Sequence, residues 1–201
     1  MVFSSGTASS GNSGDVLLGS GAATDGRGGS ILLSVGSGTS GAGGSLQGFS
    51  GRSTSHTGGA LSLSSGEGTD STSGMVSLQS SNAGLTGASG MLIFSSGTAS
   101  SGNSGEIQVG TGAATKGRGG AVAITVGSGT SGAGGQVRVM AGRSTVHTGG
   151  LMTLVSGEGT ATSSGAVFIR SANSGSAGES GAIYFSSGTS VAGNSGAIKL
   201  G

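Results

Sequence analysis

Residues 30–44 read SILLSVGSGTSGAGG, and residues 121–135 return almost the same string, AVAITVGSGTSGAGG. Each string has an apolar-alternating head and a glycine-studded tail that ends in Gly-Gly. Ile31, Leu33 and Val35 share one parity, and such alternation is the pattern of a strand with one buried face. The remainder of the chain is variation on this unit. Counting from the residue after each closing Gly, repeats start at 15, 30, 45, 60, 75, 91, 106, 121, 136, 151, 166, 182 and 197, with residues 1–14 as a first repeat lacking one position. All complete repeats have fifteen residues except every sixth, 75–90 and 166–181, which has sixteen. A longer repeat of 91 residues results, which matches Asp15 to Glu106 and Met75 to Ala166.

Position 2 of the repeat is apolar throughout, and position 4 is apolar everywhere except Gly48, where Phe49 alongside suggests a bulge or slip. Position 7 is Gly, save for Ser81 and Ala172, each followed by Asn; both residue types tolerate a corner with positive φ. Position 9 is always small, and the last position is always Gly. Self-similarity at this period indicates stacked units. The expected fold class is therefore all-β: a parallel β-solenoid of fifteen-residue rungs, without helices, forming one domain over residues 1–201. Rungs paired at ~4.8 Å predict a rod of roughly 60 Å. Its core ladder would comprise Val16, Leu18, Ile31, Leu33, Ile107, Val109, Val122 and Ile124.

Composition narrows the function. Glycine supplies 49 of 201 residues, yet Pro is absent and the period is not three, so collagen is excluded. Eight Lys/Arg against seven Asp/Glu leave a net charge of +1, which offers no basic patch for nucleic acid. With no Cys there is no disulfide, thiolate site or thiol nucleophile. No apolar run reaches the ~18 residues of a membrane span. Residues 1–14 already belong to the repeat, so no signal peptide is read there, and the chain is expected to be part of a longer one.

Motifs for chemistry are equally sparse. Gly36, Gly38 and Gly41 satisfy G-x-G-x-x-G, as do Gly127, Gly129 and Gly132, but the dinucleotide motif requires a helix to follow and another repeat follows instead. His56 and His147 lie six repeats apart, about 29 Å at solenoid spacing, too far to share a metal. Pairing His56 and Asp70 with one of many serines into a triad carries no information. The expectation is therefore no enzyme, no metal and no cofactor. No N-x-[ST] sequon is present, while the many Ser and Thr residues offer acceptors for O-glycans.

Three residue sets have roles to be placed. Arg52 and Glu67 share position 8 in adjacent repeats, as do Arg143 and Glu158, and are expected to form inter-rung ion pairs that set register. A threonine file at position 10 (Thr24, Thr39, Thr54, Thr69, Thr115, Thr130, Thr145 and Thr160) either faces inward to satisfy backbone groups or outward as a hydroxyl array. The outward positions of the head carry Leu17, Leu32, Met75, Ile93, Phe168 and Tyr184, a face suited to lateral contact with another copy.

The segments SSGTASSGNSG, GSGAATDGRGG, VGSGTSGAGG and SGEGT resemble the long Gly/Ser/Thr-rich repeats of cell-surface and extracellular filament proteins of algae and related protists, such as those of flagellar hairs. The resemblance spans the whole chain. It implies a secreted structural role in a hair, sheath or adhesive, and carries over no catalytic or binding residue. The threonine file also resembles the arrays of β-helical ice-binding proteins, one insect family of which has a fifteen-residue coil; those arrays bear T-x-T, whereas positions 8 and 12 here vary and include charges. The expected function is thus a structural subunit that associates end to end and laterally into an extracellular fibre, sheath or filament. The alternative is an ice-binding or other surface-binding protein.

Overall fold

The computed structural model describes all 201 residues and contains neither helix nor strand. The absence of helices agrees with expectation. The absence of strands overturns the all-β reading: the chain is not a parallel β-solenoid or β-helix. Backbone hydrogen bonding shows why. Only five backbone–backbone bonds form, Gly29 N–Gly21 O, Gly59 N–Gly51 O, Gly74 N–Gly66 O, Gly150 N–Gly142 O and Gly165 N–Gly157 O. Each spans eight residues and stays inside one repeat. A parallel ladder requires bonds from one repeat to the next, and there are none.

The fifteen-residue period survives as a different structure. Positions 1–6 form an arm and positions 7–15 a loop. Every complete repeat has one bend in its loop, at positions 10–12 or, in the sixteen-residue repeats, 11–13: for example at residues 24–26, 39–41, 54–56 and 85–87. The loop turns back at that bend, so the closing glycine arrives beside position 6 of its own arm. A Cβ placed on Gly29 would lie 3.0 Å from Ser20 Cβ, on Gly74 3.3 Å from Ser65 and on Gly120 3.0 Å from Thr111. Gly44 and Gly135 sit still closer to the Val35 and Val126 side chains. In these repeats the closing glycine is explained by close approach within the repeat rather than by a solenoid corner.

Hydroxyls at position 6 reinforce the closure. Ser20 Oγ donates to Gly29 O at 2.8 Å, and Thr111 Oγ1, its equivalent 91 residues later, donates to Gly120 O at 3.2 Å. Position 9 is small for a related reason: a Cβ on Gly68 would lie 2.8 Å from Ser71 O, and one on Gly129 3.0 Å from Gly132 O. The bend folds onto position 9 there. Left-handed glycines recur with the long repeat, at Gly11, Gly102 and Gly193 (φ 91°, 115° and 128°).

No side chain is buried. The only half-buried residues are position-6 serines (Ser96, Ser156, Ser171 and Ser187) and position-9 glycines (Gly68 and Gly159), which mark the tight centre of the loops. The expected core ladder of Val16, Leu18, Ile31, Leu33, Ile107, Val109, Val122 and Ile124 is exposed along its length. The accessible area is 19986 Å². For a mass of 18.4 kDa, a compact globule would expose ~8,000 Å² and an unfolded chain ~27,000 Å². The small residues of the loops provide no opposite wall, so the apolar faces of the arms stay open to solvent.

Contacts group the chain into two units, Met1–Gly105 and Glu106–Gly201. Their boundary coincides with a repeat boundary. Each unit is built of the same arm-and-loop repeats.

Candidate association surface

The arms are the chemically distinctive part of the molecule. Within an arm, exposure alternates as the pattern predicts: Ile31 is 47% exposed, Leu32 88% and Leu33 65%. The residues expected to make lateral contacts are among the most open, with Phe168 at 91% and Tyr184 at 90%. Leu17, Leu32, Met75 and Ile93 are exposed as well. The distinction between inner and outer faces is therefore legible in the arms, although both faces meet solvent.

The first unit has an open apolar groove lined by Leu33, Leu46, Gly48, Leu61, Leu63 and Leu78. These residues come from four successive repeats. Gly48 stands where neighbouring repeats have Leu33 and Leu63, and its missing side chain leaves the groove open. The bulge expected at Gly48 and Phe49 is, in the structure, an apolar gap. Position 139, its counterpart in the second unit, is Val. A second, smaller depression is lined by Phe3, Val16, Leu17 and Leu18.

The eight threonines Thr24, Thr39, Thr54, Thr69, Thr115, Thr130, Thr145 and Thr160 each open a bend and are exposed. None of their hydroxyls takes part in the side-chain hydrogen bonds, which run instead from or to serines and Thr111. Arg52, Glu67, Arg143 and Glu158 are exposed at the start of their loops, and no hydrogen bond joins Arg52 to Glu67 or Arg143 to Glu158.

Sequence reasoning passed over one local device. Ser53 Oγ accepts a hydrogen bond from His56 N at 2.9 Å, and Ser144 Oγ accepts one from His147 N at 2.8 Å. Each serine is at position 9 and pins the bend of its loop, the manner in which Ser stabilises a turn. The signal was present as Arg-Ser-Thr-x-His in both repeats. The imidazoles belong to no group of His, Cys, Asp or Glu able to hold a metal. No helix is long and apolar enough to cross a membrane.

Comparisons with protein-family models, curated proteins and solved structures give no match.

Proposed function

We propose that this chain is a structural protein that self-associates through its apolar arms, as a subunit of an extracellular or cell-surface fibre, sheath or filament. One observation carries this reading: a strictly periodic set of large apolar residues, two to four to an arm, lies open to water along the chain. Isolated exposed apolar residues are ordinary, but a continuous series marks a surface to be covered. Ordering so many glycines costs conformational entropy that one chain cannot offset without burial. Copies of the same chain carry arms at the same spacing and so offer cover of matching period. The near-neutral charge opposes association only weakly. An extracellular setting rests on the resemblance to algal and protist surface repeats, and the many exposed hydroxyls would take O-glycans there.

Ice binding requires hydroxyls held in a rigid array. Here no hydrogen bond joins the loop of one bend threonine to the loop of the next, so the structural reading has the stronger support.

Sedimentation and electron microscopy over a range of concentrations test the proposal. Assemblies that grow with concentration are expected, together with hydrophobic-dye binding that falls as assembly proceeds. Monomers alone at high concentration would sink it, and thermal hysteresis in such monomers would promote the ice-binding alternative.

A further inference from the structure

Arg52, Glu67, Arg143 and Glu158 occupy position 8 of repeats 45–59, 60–74, 136–150 and 151–165. These same four repeats have the short closing hydrogen bonds, at 2.8, 2.9, 2.8 and 2.9 Å. In each, the accepting carbonyl belongs to the glycine immediately before the charge: Gly51, Gly66, Gly142 and Gly157. The four charges therefore stand at equivalent points of tied loops. Their side chains nevertheless remain exposed and make no hydrogen bond inside the chain.

Consider two parallel copies aligned arm to arm. With no displacement, every charge faces its own duplicate. With a displacement of one long repeat, Asp15 meets Glu106, Arg27 meets Arg118, Arg52 meets Arg143 and Glu67 meets Glu158; only Asp25 against Lys116 is favourable. With a displacement of one short repeat, Arg52 meets Glu67 and Arg143 meets Glu158, His56 comes beside Asp70, and no like charges meet.

We propose that the arms are covered by a second copy of this chain lying parallel and displaced by one repeat, with the position-8 charges paired between copies. This rests on the self-association reading above and adds its register. Opposite charges across an interface select register and disfavour the wrong one. A one-repeat stagger also leaves Glu67 of the first copy and Arg52 of the second unmatched, so a third copy can add in the same way.

The test uses two double variants of the full chain, R52E/R143E and E67R/E158R. Each places like charges at both contacts when it pairs with itself, while a mixture restores opposite charges. Each variant alone is expected to need about tenfold higher concentration to assemble at low salt, the order of magnitude for two exposed ion pairs turned into repulsions. An equimolar mixture should assemble at the wild-type concentration, and raising the salt should shrink the differences. Variants that assemble alone at the wild-type concentration would overturn the register, as would a mixture no better than either variant. A wild-type chain that never assembles removes the self-association reading itself, which separates the two failures.

Discussion

Gly44 and Gly135 lie against the isopropyl groups of Val35 and Val126 in their own repeats, whereas Gly14 faces Ser5 with room to spare. G44A and G135A should therefore open the loop, at a cost of about 1–3 kcal/mol of local overpacking, and G14A should be nearly silent. Backbone chemical shifts of the loop residues read the difference: changes confined to repeats 30–44 and 121–135 are expected, with almost none for G14A. The serine pins allow a second check. S53A and S144A remove the only acceptors recorded for His56 N and His147 N. The exposed bond is worth about 0.5–1.5 kcal/mol, so exchange at these two amides should accelerate several-fold while the loop-closing amides of Gly59 and Gly150 change less.

Arms and loops divide the work at the scale of the element. The loop closes on itself: its closing glycine packs beside position 6 of the same repeat, and in two repeats the hydroxyl of Ser20 or Thr111 donates to that glycine's carbonyl. The arm is not closed off, and its Val, Leu and Ile side chains are exposed. Polar substitution on an arm should consequently leave the monomer unchanged and weaken assembly. L32S and F168S each expose no new surface in the monomer, yet should raise the assembly concentration about thirtyfold by light scattering, since each removes about 2 kcal/mol of apolar burial from a contact that becomes covered. An unchanged assembly concentration in both variants would show that the outward positions of the arms are not the contact.

At the scale of the whole molecule, an exposed area far above that of a compact globule governs behaviour. The dilute monomer should show no cooperative thermal transition, because cooperativity comes from a shared core and none is present. The assembled form should melt cooperatively, with a midpoint that rises with protein concentration, as mass action requires of any structure stabilised by association. Calorimetry at two concentrations checks both statements.

The period and the alternation along the arms were legible in the amino-acid order, because each is a local property of where glycines and apolar residues recur. The bend was not: a corner was expected at the position-7 glycine, and the chain bends instead at positions 10–12. The sequence also marks position 8 as a place where opposite charges recur one repeat apart. Alternation by itself did not decide strand pairing. A strand exists only when a neighbour accepts its hydrogen bonds, and the tertiary structure directs the few that form, Gly59 N to Gly51 O and its equivalents, back into the same repeat. For that reason the expected solenoid is absent, and the apolar ladder read as a core is a surface.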